Sequence, residues 1–284
     1  MSKKYAARGG LINWLLHSNR RSTIADGDTG PLALILRKAQ TALRDPGAAL
    51  RIAQVRLSNE LARRRLAGEG MPELISGRND AALLPEWADL LNLYQLVRAH
   101  RPRTIMEFGS GCSTVVLAHA LRRNRDEFAI EGRLHSMERD AGWLDVSRRA
   151  LPDDLRSFVE FHYLADAPYP LGGVDNAVHP VAPGIIPDMI YVDDVGGPDR
   201  HLPTADPAVL DRFATDGLVI VVDGRPKAVE HLQTGLTAGY RYAYNPTHGY
   251  SIFKRCAAGA AAGPFDLPIA VGGRTRQTNL PPRS

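Results

Sequence analysis

From about residue 103 the chain alternates short apolar runs, rich in β-branched residues, with segments whose apolar residues have helical spacing. This alternation is typical of a parallel sheet covered by helices, because each strand is returned to the same edge by a crossover helix. It predicts an α/β fold with strands at 103–108, 133–138, 158–163, 188–193, 217–223, 240–245 and 250–255. The predicted helices lie near 86–100, 113–123, 142–151, 204–214 and 226–238.

Two connections in this series depart from the alternation. The last two strands are joined by only four residues, PTHG, which predicts an antiparallel hairpin at the end of an otherwise parallel sheet. Residues 164–187 contain five prolines and cannot form one regular helix. Long irregular segments in compact domains are often functional, so we expect 164–187 to be a lid.

The N-terminal part of the chain is basic. Residues 1–80 contain fourteen Lys and Arg but seven Asp and Glu, so the rest of the chain carries −3 of the overall net charge of +4. Helical material is predicted within 32–67, and the residues after 255 are rich in Ala, Gly and Pro. The predicted organisation is a basic helical extension over 1–84, an α/β domain over 85–255, and an extended or disordered tail over 256–284.

The apolar and cysteine content indicates a cytoplasmic protein. Hydrophobic residues make up 44% of the chain, yet there is no stretch of 18 apolar residues that would span a bilayer. The run GLINWLL is short and is followed by HSNRR, so we do not expect a secretory signal. Cys112 and Cys256 are the only cysteines, which favours a reducing compartment over a disulfide framework.

The segment EFGSGCST, residues 107–114, predicts a ligand site. A strand ending in Glu107, a turn with Gly109 and Gly111, and Ser113 as the expected N-cap form the crevice where open α/β sheets bind ligands. Thr114 stands where a dinucleotide fingerprint has its third glycine. A carboxylate this close to the helix start would repel a pyrophosphate, whereas it suits an ammonium or sulfonium group.

A second acid, Glu138, ends the second predicted strand in the segment HSMERD. At this position of an open α/β sheet a carboxylate can accept hydrogen bonds from both hydroxyls of a ribose. A ribose together with a positive charge indicates S-adenosylmethionine.

The segments EFGSGCST, SMERD, DMIYVDD and GLVIVVDG resemble the class I S-adenosylmethionine-dependent methyltransferases over about residues 85–255. The resemblance implies a Rossmann-like, seven-stranded, mostly parallel sheet in the order 3-2-1-4-5-7-6, with helices on both faces and S-adenosyl-L-methionine as cofactor. It implies that the methionine part lies on the glycine turn, the ribose on Glu138 and the adenine near Asp166. Met137 and Trp143 either pack on the adenine or belong to the core. The implied cofactor-binding residues are Glu107, Gly109, Ser110, Gly111, Glu138, Asp166 and Asp193.

Methyl transfer to a hydroxyl needs a group that orients the acceptor or removes its proton. Asp193, after the fourth strand, and His248, in the loop after the sixth, are the candidate catalytic residues. Asp193 and Asp223 resemble the metal-binding acids of catechol-type O-methyltransferases. However, Gly224 replaces an asparagine ligand of that group, so we expect no bound metal, and Asp193 would then orient the substrate or the methionine amine. Arg200 and His201 are candidates for binding an anionic acceptor.

The leading hypothesis is a cytoplasmic O-methyltransferase acting on a small molecule or on a glycan or lipid-linked intermediate. YVDDVGG lacks the Asn-Pro-Pro-Tyr type of segment that often accompanies nitrogen acceptors. One alternative is a nicotinamide-dependent oxidoreductase that uses the same turn. Another is a membrane-surface or nucleic-acid binding protein that uses the basic N-terminal helices. We expect no nucleic-acid partner, although GLINWLLHSNRR could contact a membrane surface. The oligomeric state stays open.

Overall fold

A computed structural model describes most of the predicted α/β region. The chain divides into two compact units, Met1–Ser58 and Asn59–Ser284. The residues that the structure describes are 46–76, 85–164, 167–171, 174–178, 184–193, 210, 213, 215–224, 226–236, 239–245, 250–257 and 276–279.

The helices follow the periodicity of the sequence, with shifted ends. Helix α4, for example, ends five residues beyond the predicted 113–123 segment, and its C-cap Ala129 adopts φ 55°. Among the described residues, no helix is long and apolar enough to cross a bilayer. The helices are α1 (Pro46–Ala67), α2 (Met71–Ile75), α3 (Trp87–His100), α4 (Cys112–Phe128), α5 (Ala141–Ala150), a 3₁₀ helix (Asp153–Phe158) and α6 (Pro226–Gly235).

The strands form one large sheet and one separate hairpin. They are β1 (Thr104–Phe108), β2 (Arg133–Glu138), β3 (Val159–Tyr163), β4 (Ala167–Leu171), β5 (Val174–Val178), β6 (Met189–Val192), β7 (Val219–Val222), β8 (Tyr240–Asn245), β9 (Tyr250–Arg255) and β10 (Arg276–Asn279). The large sheet has the order β10-β8-β9-β7-β6-β1-β2-β3.

The predicted sheet order is confirmed. The adjacent strands β3, β2, β1, β6 and β7 are all parallel to one another. Next to β7, strands β9 and β8 form an antiparallel hairpin, and β9 is antiparallel to β7. When β4, β5 and β10 are set aside, the remaining seven strands have the order 3-2-1-4-5-7-6. The eighth strand, β10, was not predicted. It pairs with β8 in antiparallel fashion and lies in the segment for which we expected an extended or disordered tail.

The proline-rich segment 164–187 contains a second difference from the prediction. Its described residues include β4 and β5, which pair as a two-stranded antiparallel hairpin. Pro168 and Pro170 fall within β4. Proline is compatible with a strand that has a free edge, because its missing N–H can face away from the pairing partner. The expected lid function of this segment stays a prediction.

Apolar side chains on both faces of the sheet explain why the sequences of β6 and β7 are continuously hydrophobic. Ile105 and Met189 belong to the core cluster that contains residues of α3 and α4. Their neighbours Met106 and Ile190 point the opposite way and belong to the cluster that contains residues of α6. The prediction of helices on both faces is therefore confirmed.

Strand register brings the predicted site residues to one edge. Phe108 is paired with Met137 of β2 and with Val192 of β6, and Val192 is paired with Val222 of β7. The residues that end or follow these strands, Glu138, Asp193 and Asp223, therefore meet at the carboxyl edge of the sheet. At the other end of β6, Asp188 Oδ2 accepts hydrogen bonds from the backbone N–H groups of Arg103 and Thr104, which ties the start of β1 to β6.

Candidate active site at the carboxyl edge of the sheet

The turn after β1 begins with a glycine that the backbone requires. Gly109 has φ 89°, a conformation that residues with a Cβ rarely adopt, and its N–H donates to the Met137 carbonyl at 2.9 Å. The prediction that Ser113 is the N-cap is wrong. Helix α4 begins at Cys112 with Gly111 as its N-cap, and the Gly111 N–H donates to Thr114 Oγ1 at 2.9 Å. Thr114, at the third helical position, therefore reaches back to the N-cap backbone, which is the role of the N3 residue in a capping box.

Gly111 differs from Gly109, because neither its packing nor its backbone conformation requires a glycine at this position. Its φ of 165° is extended backbone. Apart from its two chain neighbours, no heavy atom of the described part of the chain would lie within 4 Å of a Cβ placed on Gly111. Open space therefore lies beside the turn, at the point where α4 begins. A group that approaches the backbone closely could use this space.

Glu107 lies at the end of β1, beneath this turn, and is completely buried. Its Oε2 accepts hydrogen bonds from Thr114 Oγ1 and Ser136 Oγ, both at 2.7 Å. Because Thr114 Oγ1 also accepts the Gly111 N–H, this hydroxyl connects the buried carboxylate to the glycine turn. The threonine that departs from the dinucleotide pattern therefore has a definite structural role.

Burial raises the pKa of Glu107 to about 7, with a further increase from the negative charge of Asp193. Hydrogen bonds from the Ser113, Ser136 and Thr114 hydroxyls oppose this increase, because they favour the ionised form. Glu107 is therefore poised between its two protonation states near neutral pH. A positive charge nearby would favour the carboxylate.

Glu138, the predicted ribose ligand, is directed toward the protein in this structure. The residue is 6% exposed, and its Oε2 accepts hydrogen bonds from Ser110 N at 3.0 Å and Ser110 Oγ at 2.9 Å. Its Oε1 accepts from the backbone N–H groups of Arg139 and Asp140. A carboxylate has about four acceptor positions, so a ribose hydroxyl would have to share Oε2 with Ser110 or displace its hydroxyl. The ribose role stays a prediction, and Glu138 also holds the turn.

Helix α5 holds the same turn from another side. Trp143 Nε1 donates to the Ser110 carbonyl at 2.7 Å, and the Ser147 hydroxyl lies 2.9 Å from that of Ser110. Of the two residues considered for adenine packing, Trp143 has its indole N–H directed to the turn, and Met137 is fully buried in the core. Ser147 was missed by sequence reasoning. Ser147 could have been predicted from its position four residues after Trp143, because this spacing places both residues on one face of α5.

Asp193 and Asp223 follow β6 and β7, as predicted. The Asp193 N–H donates to the Phe108 carbonyl at 3.0 Å, and the Asp223 N–H donates to the Val192 carbonyl at 3.1 Å. Both residues are partly buried, and the Tyr191 hydroxyl donates to Asp223 Oδ2 at 3.2 Å. Burial raises the pKa of Tyr191 well above its ordinary value, and the charges of Asp193 and Asp223 raise it further. The edge is therefore strongly electronegative.

Sequence reasoning missed a further acid at this edge. Asp89, near the start of α3, is 6% exposed, and burial raises its pKa well above the ordinary value. The charges of Asp223, Glu86 and Asp193 raise it further, which shows that α3 brings an acid close to the ends of β6 and β7. The available signal was an acid inside the apolar run WADLLNLY, where a solvent-facing residue is not expected.

The remaining candidates lie outside the described residues. These are Asp166, the catalytic candidate His248, and the acceptor-binding candidates Arg200 and His201. Within the described residues, Asp193 and Asp223 belong to no group of three His, Cys, Asp or Glu side chains close enough to share a metal ion. The part of this edge that the structure describes thus offers an incomplete ligand set for a metal.

Several solved structures share this fold. A protein of Klebsiella pneumoniae proposed to be an O-methyltransferase is 17% identical to this chain, and the alignment covers 73% of this chain and 100% of that one with a TM-score of 0.50. The O-methyltransferase TomG of Streptomyces achromogenes, involved in tomaymycin synthesis and crystallised with SAM, is 18% identical over 72% of this chain and 99% of its own, with a TM-score of 0.49. No family profile and no curated protein matches the chain in sequence. The predicted class I methyltransferase fold is therefore confirmed at the level of structure.

The buried Glu107 predicts a pH dependence of stability. Its pKa of about 7 in the folded protein exceeds the ordinary value of 4.5, so the folded state binds a proton more tightly than the unfolded state. The associated stability is fully present below pH 4.5 and is lost as the pH rises through 7. We expect this loss to be about 3 kcal/mol, because each pH unit corresponds to about 1.4 kcal/mol.

Urea unfolding of the wild type, Glu107→Gln and the exposed-residue control Glu131→Gln between pH 5 and 8 measures this contribution. The decrease in unfolding free energy should be smaller in Glu107→Gln than in the other two proteins. If the unfolding free energy depends on pH equally in all three proteins, Glu107 does not titrate in this range.

Proposed function

We propose that this protein is an S-adenosylmethionine-dependent methyltransferase that methylates an oxygen of a small molecule or of a glycan or lipid-linked intermediate. The observation that carries the proposal is the electronegative crevice beside Gly111, with Glu107 and Asp193 at adjacent strand ends. The fold shared with the Klebsiella pneumoniae protein supports the proposal, since that protein is itself proposed to be an O-methyltransferase.

The charges of the crevice favour this cofactor over a dinucleotide. Burial raises the pKa of Asp89, and the charges of Asp223 and Asp193 raise it further. A sulfonium and an ammonium group would relieve the repulsion among these three acids. The pyrophosphate of a nicotinamide dinucleotide would add to that repulsion. The alternative oxidoreductase function is therefore disfavoured by the same acids.

S-adenosylmethionine bound in this crevice would supply a methyl group to the acceptor oxygen, with its sulfur–carbon bond breaking as the new oxygen–carbon bond forms. The hydroxyl proton of the acceptor passes to a base. Asp193 is partly buried at the end of β6, and we assign it the orientation of the acceptor or of the methionine amine. His248 remains the proposed base.

The two glycines of the turn allow a direct test of cofactor binding. Gly111→Ala should change the unfolding free energy by less than about 1 kcal/mol, because the added methyl meets no heavy atom of the described residues beyond its chain neighbours. It should nevertheless weaken S-adenosylhomocysteine binding in calorimetry at least tenfold. Gly109→Ala is the matched control, and it should lose about 1–2 kcal/mol of stability because of its positive φ. Unchanged affinity in Gly111→Ala would contradict cofactor binding over this turn.

Glu107 should also make cofactor binding release protons. S-adenosylmethionine carries a sulfonium charge that S-adenosylhomocysteine lacks, and this charge should lower the pKa of Glu107 from about 7. Calorimetry at pH 7 in buffers of different ionisation enthalpy should therefore detect up to about half a proton more released with the former ligand. The difference should disappear in Glu107→Gln. Equal release by the two ligands in the wild type would refute the electrostatic match.

Asp193→Asn should impair turnover more than cofactor binding. The substitution preserves shape but removes the charge that would orient the acceptor, so we expect a 100-fold or greater loss of kcat, on the order of general acid–base contributions. Turnover is followed as S-adenosylhomocysteine formation with a panel of phenolic and sugar hydroxyl compounds. Asp153→Asn, an exposed acid of the 3₁₀ helix, is the matched control. Wild-type turnover in Asp193→Asn would remove this residue from the mechanism.

A further inference from the structure

A cluster of two histidines and one glutamate lies on β2 and β3, away from the glycine turn. His135 is paired in register with Glu160, and Met137, two residues further along β2, is paired with His162. Paired residues of parallel strands share a face of the sheet, and so do residues two positions apart in one strand. The side chains of His135, Glu160 and His162 therefore project from the same face.

The distances within this cluster fit a metal site. His135 Nδ1 lies 3.1 Å from His162 Nε2, Glu160 Oε2 lies 3.6 Å from His135 Nδ1, and Glu160 Oε1 lies 3.7 Å from His162 Nε2. Ligand atoms around a tetrahedral ion with bonds of about 2.0–2.1 Å are separated by about 3.3–3.4 Å. Small side-chain movements would bring one atom of each residue to these positions.

We propose that His135, Glu160 and His162 form a binding site for a divalent transition-metal ion of the zinc type. Two imidazole nitrogens and one carboxylate oxygen match the ligand preference of such ions, and the carboxylate neutralises one of the two metal charges. The contact between the imidazole nitrogens requires one of them to act as an acceptor, so a nitrogen lone pair is already directed into the cluster.

The surroundings allow an ion to enter and to be held. The side chains of His135 and His162 are 14% and 19% exposed, so the strands constrain their positions, whereas Glu160 is 49% exposed. Water can therefore reach the open side and complete the coordination. Arg133 Nη1 lies 3.9 Å from Glu160 Oε2, but both side chains are about half exposed and such a pair contributes little.

This site would stabilise the edge of the sheet. Within the sheet that the structure describes, β3 is a terminal strand, and its only strand neighbour is β2. A metal ion bound to both strands would cross-link β3 to the strand that ends in Glu138. Ser136 and Glu138 alternate with His135 along β2 and point to the other face, so the metal site does not depend on the proposed cofactor site.

The test is a titration of the metal-stripped full-length protein with ZnCl₂, monitored by competition with a chromophoric chelator and by thermal unfolding. The wild type should bind one ion at this site and gain thermal stability in excess Zn²⁺. The double variant His135→Gln/His162→Gln should lose affinity by at least about 100-fold, comparable to the upper end of losses from altered outer-shell partners. It should also lose the thermal shift.

His100→Gln is the matched control, since it removes a partly buried histidine outside the cluster and should bind zinc like the wild type. Glu160→Gln changes an exposed side chain that the fold does not require, and it should lower the affinity about tenfold even if the double variant fails to fold. Zinc binding of unchanged affinity in both cluster variants would overturn the proposal. The absence of zinc binding by the wild type, or an equal loss in His100→Gln, would also overturn it.

Discussion

The buried carboxylate of Glu107 is the interaction on which the candidate site depends. It accepts hydrogen bonds from Thr114 at the start of α4 and from Ser136 in the middle of β2, so one side chain joins three elements that meet at the crevice. The Thr114 hydroxyl also accepts a hydrogen bond from the Gly111 N–H, which connects the carboxylate to the turn. Because an uncompensated buried charge is costly, the arrangement is stable only with these donors or with a bound proton. The geometry of the turn is thereby coupled to the charge of the carboxyl.

A second carboxylate fixes the same turn from the side of β2. Glu138 receives two hydrogen bonds from Ser110 and two from the backbone that leads into α5, and α5 adds the Trp143 contact. The glycine turn is therefore held before any ligand binds, which lowers the ordering cost of binding. Asp89 lies close to Asp193 and Asp223, although burial and the charges of these two acids disfavour its ionised form. An unfavourable cluster of buried acids is typical of a functional site, and here it favours a positively charged ligand.

The positions of most strands could be predicted from periodic and local signals, whereas the order of the sheet was implied by the family resemblance. The runs around Met189 and Val219 are apolar on both faces, and this pattern identifies buried parallel strands. The PTHG connection predicted the β8–β9 hairpin for an equally local reason. In contrast, the β4–β5 hairpin and β10 carry weak signals, since prolines and small polar residues dominate their sequences. β4 and β5 pair with each other, whereas the pairing of β10 depends on β8, which lies far from it in the sequence.

The sequence by itself determined the α/β class, the glycine turn and the presence of acids at the strand ends, since each follows from short segments whose chemistry is local. Only the tertiary structure decided what these acids contact. It turned Glu138 toward Ser110, brought Asp89 of α3 close to Asp223, and made Gly111 the N-cap with Thr114 as the acceptor of its N–H. It also placed His135 beside His162, 27 residues away. Contacts between distant segments depend on strand register and helix packing, which no single segment encodes.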